Sequence, residues 1–417
     1  MILFLAISTG LVYANLTLKG GGDFYVHWVA GRGFLSENFK HGKDLVPTEN
    51  KKVEKPLQRV DPYGGRIPAQ VQQMIYGRAA RAGEEPYILD TPFQIFLLYL
   101  PFSLLSDPHL ARALFTLILE LALFALAVQS LRLNDWEIPR IFAISYIFFA
   151  VFNFYSVQAI SEASPVLLLG FLYAEILFAL RMDMDEFAGA LMAISLYYWE
   201  VGAPFLIFIF LRIHYEKRKG VPSGFFMTSL ILLFISFLGY PNWILPFLRA
   251  TANNLKADFG FNTHSVFMQL LPSYGGIIAW ILIIALVLML GYEWSMARRG
   301  EPRRFYWAAC LSLAAVPLLG FRTEMEHLSV LIIPLALIFS IIYERWRKFG
   351  AGVNYLLLLI VFALPWAVFI FTPNRFGAIA HEIIFLFLPL FTVIGLYWIR
   401  WWAINPPRIW TDLVPRT

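Results

Sequence analysis

Residues 355–372 read YLLLLIVFALPWAVFIFT, a run without a charged side chain. A helix of that length measures about 27 Å, close to the roughly 30 Å hydrocarbon core of a bilayer. Residues 277–291, 328–343 and 384–399 form similar runs. Backbone groups in lipid must pair within their own segment, so such runs predict helices. A barrel would instead show alternating segments of about ten residues. The sequence therefore predicts an all-α polytopic membrane protein.

The composition supports this prediction. Of the 417 residues, 59% are hydrophobic and 15% are charged, whereas soluble domains carry about 25% charged residues. The net charge of +5 comes from short basic loops between the apolar runs, so we predict membrane lipids and no nucleic acid as partners. The single cysteine, Cys310, excludes an intrachain disulfide. Nucleotide-binding, zinc-protease and Cys-x-x-Cys motifs are missing from the sequence, and we predict no metal and no cofactor.

The apolar runs predict a bundle of about 10–12 transmembrane helices in a single integral membrane domain, 1–417. The candidate spans are about 1–16, 91–107, 109–131, 140–158, 163–181, 187–211, 222–247, 274–293, 305–320, 327–343, 353–372 and 382–400. Glycine and proline interrupt the sixth at Trp199–Pro204, which leaves 187–211 as one kinked span or a re-entrant pair.

The basic loops predict which ends of these spans lie together. Arg212–Lys219, Arg298–Arg304 and Arg345–Lys348 follow alternate spans, so one face collects them, and we expect that face to be cytoplasmic. The opposite, extracytoplasmic face then holds the loops 17–90, 248–273 and 321–326. The first of these is far longer than an ordinary helix connection. Its segments 23–35 and 69–82 have helical patterning and predict amphipathic helices at the membrane interface.

Several short stretches resemble one enzyme family. Residues 22–30, GDFYVHWVA, follow the first span as in the polyprenol-phosphate-sugar-dependent glycosyltransferases of the GT-C fold. The resemblance is closest to the polyprenol-phosphate-mannose mannosyltransferases of glycosyltransferase family 87, and it implies that the predicted bundle of transmembrane helices is GT-C-like. Asp61-Pro62-Tyr63 and residues 87–93, YILDTPF, are similar to that family's next two elements.

Two later stretches keep the family's order. Residues 261–265, FNTHS, are similar to its Gly-Asn-Gln-Ser segment, and residues 323–328, TEMEHL, to its Ser-Trp-x-His-His-Leu segment. The chain departs from the pattern by having EVGAP at 200–204 in place of Lys-Pro, and one histidine in place of two.

The resemblance implies transfer of a hexose, such as mannose, from a polyprenyl-phosphate-sugar donor to a glycolipid or glycan acceptor. We expect the reaction on the extracytoplasmic side of the cell (cytoplasmic) membrane, because the polar loops lie on that face. Such transfer needs a base for the acceptor hydroxyl and positive charge or N–H dipoles near the leaving phosphate. Asp23, in the first loop and beside glycine and aromatic residues, is the predicted base. Its alternative role is to cap the helix that follows.

Other residues are also candidates for catalysis or substrate binding. Asp61 and Asp90 are rival carboxylates, although turn and cap roles are the simpler interpretation of each. His264, His327 and Arg322 could bind the phosphate or a sugar hydroxyl. The remaining substrate-binding candidates are Trp28 for sugar stacking, Tyr63 in the Pro-Tyr element, and Glu200, which is charged within an apolar span.

Three other functions remain open. A transporter would place ionisable residues and broken helices at mid-membrane, as Glu175, Glu200 and the Trp199–Pro204 break suggest. An O-antigen polymerase or ligase is also a multi-span protein with lipid-linked substrates, but it would carry its large loop late in the chain. A non-catalytic scaffold is the third alternative.

Overall fold

The computed structural model describes residues 9–10, 19–39, 63, 75, 89, 91–134, 139–256, 261–372 and 377–405. Regular structure in these residues is helical, apart from one isolated antiparallel bridge between Phe261 and Thr323. The helices are α1 (Gly22–Phe39), α2 (Phe93–Ser103), α3 (Pro108–Arg132), α4 (Arg140–Phe152), α5 (Phe154–Ser161), α6 (Val166–Arg181), α7 (Asp185–Ser195), α8 (Trp199–Glu216), α9 (Gly220–Gly239), α10 (Ile244–Lys256), α11 (Thr263–Leu270), α12 (Gly275–Ala297), α13 (Pro302–Ala315), α14 (Ile332–Phe371) and α15 (Gly377–Ile404). Short 3₁₀ helices occupy Leu196–Tyr198, Val316–Leu318 and Met325–Leu331.

The chain is a multi-pass, all-α membrane protein. In the part that the structure describes, six helical segments are long and apolar enough to cross a membrane: Pro108–Arg132, Gly220–Gly239, Gly275–Ala297, Met325–Trp346, Lys348–Phe371 and Ile379–Ile404. A seventh span results if α4 and α5, which meet at a 47° bend, are taken together. The higher number of 10–12 spans stays a prediction, and the first candidate span lies almost entirely outside the described residues.

The long helix α14 folds back on itself into a hairpin. The Asn354 side-chain amide donates to the Phe339 carbonyl at 2.7 Å, although fifteen residues separate them. In a straight helix those residues would lie about 22 Å apart. A Cβ at Gly350 would come within 2.4 Å of the Ile342 carbonyl oxygen, so only glycine allows this close approach. The basic segment Arg345–Lys348 therefore forms the turn between two antiparallel spans, as its sequence predicts.

The residues gather into two compact units. Unit 1 holds the described residues within Met1–Ala122, Val157–Leu168 and Met227–Phe259. Its core is aromatic: the Phe24 ring lies 5.3 Å from Phe115 and 6.2 Å from Tyr99. Helix α1 packs closely on α2, because Gly31 lies against the Ser103 side chain and has no room for a Cβ.

The packing of α1 differs from the prediction, in which segment 23–35 is an amphipathic helix at the membrane interface. From Gly21 to Ala30, only Asp23 and Val29 are not fully buried. The segment is therefore buried on nearly all sides, because α2 and the aromatic core cover faces that we expected to be polar or lipid-facing. The second expected interfacial segment, 69–82, lies outside the described residues except for Ile75, which is buried.

Unit 2 holds the described residues within Leu123–Ser156, Leu169–Phe226 and Gly260–Thr417. One of its ends gathers the basic segments. Arg212 donates to the carbonyls of Ala297 and Gly300 at 2.6 and 2.7 Å, and Arg303 pairs with Glu344. We call this the basic end. The loops that follow alternate spans therefore lie together, as the sequence predicts.

The other end of unit 2 brings together segments that the sequence predicts to face the extracytoplasmic side. Phe261 and Thr323 exchange two backbone hydrogen bonds of 2.8 Å. The ring of Trp199, which the sequence places at the break within the span 187–211, contacts Phe321 at 5.9 Å. We call this the polar end. Within the predicted loop 248–273, residues 263–270 form α11 in unit 2, whereas residues 248–256 belong to α10 in unit 1. The predicted break near Trp199 is the 3₁₀ helix Leu196–Tyr198, which joins α7 to α8.

Candidate functional site

A pair of glycines leads into helix α1 in unit 1. Gly20 and Gly21 have φ angles of +120° and +80°, which side chains other than glycine rarely adopt. A Cβ at Gly21 would also lie 2.7 Å from Nε of Arg112. The Gly21 N–H donates to the Ser161 carbonyl at 2.9 Å. Glycine is therefore required here both by conformation and by the close approach of the arginine.

Asp23 lies in the first turn of α1 and is half-buried. Besides the role of general base, we considered that Asp23 caps the helix. The first N–H of the helix, at Gly22, instead donates to Oε2 of Glu162 at 2.9 Å. A carboxylate in the first helical turn is stabilised by the partial positive charge of the helix N-terminus. Two acidic side chains, Asp23 and Glu162, therefore belong to the same helix start.

The positive charge beside this helix start is Arg112. Its side chain is almost fully buried, and Nη2 donates to the Ser161 carbonyl at 2.8 Å. Its guanidinium lies 5.8 Å from the centre of the Tyr25 ring, and the Tyr25 hydroxyl lies 3.3 Å from Nδ1 of His109. Burial raises the pKa of Tyr25, although the neighbouring Arg112 opposes the change.

Sequence reasoning missed Arg112 and Glu162 as site residues. The only available signal was the presence of a charge in or beside an apolar segment, which is costly in a membrane and marks a candidate functional residue. Their relationship to Gly21 and Gly22 depends on contacts across the fold, and no local pattern predicts it.

His27 fixes the backbone of Asp23 from one helical turn away. Its Nδ1 lies 2.6 Å from the Asp23 carbonyl oxygen, and its Nε2 lies 2.9 Å from the Thr91 hydroxyl. Burial lowers the pKa of His27 to about 4, so the ring is neutral at physiological pH. A carbonyl oxygen can only accept, so Nδ1 carries the proton and Nε2 accepts from Thr91. The ring also stacks on Tyr99 with centroids 4.1 Å apart.

Two residues that the sequence predicts to bind substrate, Tyr63 and Trp28, also lie in unit 1. The Tyr63 hydroxyl donates to the Thr91 carbonyl at 3.1 Å, so Thr91 links Tyr63 to His27. Trp28 is 5% exposed, with the Arg32 guanidinium 5.8 Å from its ring centre. A sugar could stack on this ring only after the surrounding side chains move. Asp61 and Asp90 lie outside the described residues.

The remaining residues that the sequence predicts to bind substrate lie at the polar end of unit 2. Arg322 pairs with Glu324 at 3.6 Å, and the Glu324 N–H donates to Nδ1 of His327 at 3.2 Å. The bridge between Phe261 and Thr323 places His264, which is exposed, on a segment that joins this region. Glu200 is half-buried in the first turn of α8. The structure thus brings the stretches 261–265 and 323–328 side by side.

This end also contains a group of side chains that could hold a metal ion. Among the described residues, potential ligand atoms of Glu324, Glu326 and His327 lie within 4.8 Å of one another. Burial favours the neutral form of Glu324, but the hydrogen bond with Glu326 and the charges of His327 and Arg322 hold its pKa below the ordinary value. The Arg322 guanidinium would compete with a cation for the same carboxylate.

Comparison with known proteins adds no relative: no protein-family model matches this chain, and no curated protein matches it in sequence.

Proposed function

We propose that this protein is a membrane glycosyltransferase that moves a hexose from a polyprenyl-phosphate-sugar donor to a lipid-linked or cell-surface acceptor. One observation carries the proposal. Asp23, a half-buried carboxylate, stands in the first turn of α1, directly after a glycine turn that packs on the buried guanidinium of Arg112. The resemblance of residues 22–30 to the GT-C glycosyltransferases agrees with this assignment.

The chemistry needs a base and a positive environment, and this helix start offers both. The acceptor hydroxyl oxygen attacks the anomeric carbon, and its proton passes to the Asp23 carboxylate. The bond between that carbon and the phosphate oxygen breaks, and the phosphate leaves with the bonding electrons. Arg112 and the N-terminal dipole of α1 provide positive potential for the developing negative charge. Because attack and departure occur on opposite faces, the product has inverted anomeric configuration.

The donor follows from the side of the membrane on which the site is expected. Nucleotide sugars are cytoplasmic, whereas lipid-linked sugars reach the outer leaflet. The excess of arginine and lysine at the basic end of unit 2 supports a cytoplasmic position for that end. The membrane is the cell membrane in this proposal, and the reaction takes place on its extracytoplasmic side.

The donor class is tested with purified protein in liposomes. Transfer of radiolabelled sugar is measured from polyprenyl-phosphate hexoses and from nucleotide hexoses, with a membrane extract as the source of acceptor. We expect transfer from one polyprenyl-phosphate hexose, with inversion shown by NMR of the product. Transfer from a nucleotide sugar, or retention of configuration, would contradict the proposal. The absence of transfer from every donor would favour a transporter or a scaffold.

The sidedness is tested by cysteine labelling in intact cells. Cys310, the chain's only cysteine, is buried, so a Cys310→Ala background suits single-cysteine variants. His264 and Arg298 are both exposed and stand on the polar and basic sides of unit 2. We expect an impermeant maleimide to label His264→Cys in intact cells, and Arg298→Cys only after permeabilisation. The opposite pattern would place the polar end of unit 2 in the cytoplasm and contradict the orientation on which the choice of donor rests.

A further inference from the structure

Unit 2 contains a cavity of about 550 Å³ at its basic end. It lies among the ends of α6, α8 and the first half of α14 and the start of α13, and Leu133 and Ala403 also line it. A volume of 300–1,000 Å³ is typical of small-molecule binding sites. None of the residues predicted to act in sugar transfer lines this cavity.

The lining combines charged and apolar side chains. Four arginines, Arg181, Arg212, Arg218 and Arg303, outnumber three carboxylates, Asp183, Glu216 and Glu344. The apolar part includes Leu177, Leu180, Ile213, Phe305, Leu337 and Ile341. Such a lining is complementary to a molecule that carries a negative head and an apolar tail.

Two of the arginines hold the walls in place. Arg212 donates to the Ala297 and Gly300 carbonyls and pairs with Glu216. Arg218 pairs with Asp185 and donates to the Leu180 carbonyl at 3.1 Å. These contacts satisfy carbonyl groups at helix ends and fix the position of both guanidinium groups.

Arg303 is held much more loosely. Its ion pair with Glu344 spans 3.6 Å, and the two side chains are 46% and 39% exposed. An exposed pair of this kind contributes little stability, so Arg303 can exchange its partner for an incoming anion. Arg181 is also exposed and donates to the Leu133 carbonyl at 3.1 Å. A guanidinium group matches the geometry of two phosphate oxygens.

We propose that this cavity binds an anionic phospholipid, with its phosphate against Arg181 and Arg303 and part of an acyl chain along the apolar wall. Basic pockets between transmembrane helices on the cytoplasmic side bind such headgroups in other membrane proteins. A free phosphate ion offers the same charge but makes no use of the apolar wall, so the lipid is the better match. The site is separate from sugar transfer and does not depend on the proposed function.

The proposal is tested by native mass spectrometry of delipidated protein with phosphatidylglycerol, phosphatidylcholine or inorganic phosphate. We expect one phosphatidylglycerol to bind preferentially, and the double variant Arg181→Gln and Arg303→Gln to weaken its binding about tenfold or more. Arg298→Gln is the matched control, because Arg298 is an exposed arginine of the same basic loop that does not line the cavity. It should bind the lipid like wild type.

Three results of the binding experiment would overturn the proposal. Equal weakening by Arg298→Gln would show general attraction to the basic end instead of a site. Competition by inorganic phosphate at similar concentration would show an anion site without lipid specificity, and equal binding of phosphatidylcholine would exclude the role of charge. A photoactivatable phosphatidylglycerol tests the site without any variant: we expect crosslinks to the peptide that contains Phe305 and Tyr306, and crosslinks only elsewhere would contradict it.

Discussion

The backbone N–H of Gly22 donates to Oε2 of Glu162 at 2.9 Å, although 140 residues separate the two in sequence. The contact satisfies the first N–H of α1 with a carboxylate, which the helix dipole stabilises further. It also leaves the next residue, Asp23, in the first helical turn rather than at the capping position. Glu162 therefore positions the helix start that carries the proposed base.

Removal of the Glu162 carboxylate should loosen this helix start. We expect Glu162→Ala to reduce the free energy of unfolding by about 0.5–2 kcal/mol, the range found for lost helix caps. Glu162→Gln keeps an acceptor oxygen and should lose less. Denaturant unfolding in detergent measures both, with Glu301→Ala as the control, since Glu301 is exposed and its side chain makes no capping hydrogen bond. Equal stability of Glu162→Ala and wild type would show that the hydrogen bond between Gly22 and Glu162 does not contribute to the free energy of unfolding.

A side chain at Gly21 should be poorly tolerated. Gly21→Ala combines a φ of +80° with a Cβ that would lie 2.7 Å from Nε of Arg112. Positive φ alone costs an L residue roughly 1–2 kcal/mol, and the clash with Arg112 adds to that cost. We therefore expect a loss of about 2 kcal/mol or more in the free energy of unfolding.

The matched variant for this comparison is Gly352→Ala. Gly352 is helical, and a Cβ there would meet no atom within 4 Å. Alanine is favoured over glycine in a helix by about 1 kcal/mol, so this variant should be as stable as wild type or more stable. If both variants lose the same free energy of unfolding, the close packing of Gly21 on Arg112 does not contribute to stability.

The buried, neutral His27 should make the protein less stable in acid. Its pKa is about 4 in the folded chain, against an ordinary value of 6.5, because burial disfavours the charged ring. Between those values the unfolded chain binds a proton that the folded chain does not. The free energy of unfolding therefore falls as pH decreases from about 6.5, and the loss reaches about 3 kcal/mol near pH 4.

The contribution of His27 is isolated by comparing pH profiles of stability. His27→Gln should flatten the profile between pH 6.5 and 4. Identical profiles for wild type and His27→Gln would contradict the assignment of a neutral, buried ring.

The fold class and several spans could be predicted from the sequence because lipid leaves few alternatives. An uncharged run such as 355–372 has to pair its own backbone groups and so forms a helix. The basic residues at Arg345–Lys348 predict the turn of the α14 hairpin, since arginine and lysine are too costly at mid-membrane. In contrast, no local pattern indicates that α1 is buried on nearly all sides, because that depends on α2 and on Phe115.

The candidate site could be predicted only in part. Asp23 stands out locally as an acidic residue in an aromatic, glycine-rich stretch. Its surroundings depend on tertiary contacts between residues that are far apart in sequence: Glu162 binds Gly22, Arg112 packs against Gly21, and Thr91 binds His27. The same holds for the Phe261–Thr323 bridge, which joins two stretches that appeared separately in the sequence.

The most direct measurement of the central claim is the rate of sugar transfer from a polyprenyl-phosphate hexose by wild type and Asp23→Asn in proteoliposomes. Loss of a general base typically costs a factor of about 10²–10⁴, and we expect a fall in that range. The free energy of unfolding should fall by no more than about 1 kcal/mol, the size of a helix-dipole contribution. Glu301→Gln, which removes an exposed carboxylate, should keep the wild-type rate. Transfer by Asp23→Asn within about twofold of wild type would contradict the account.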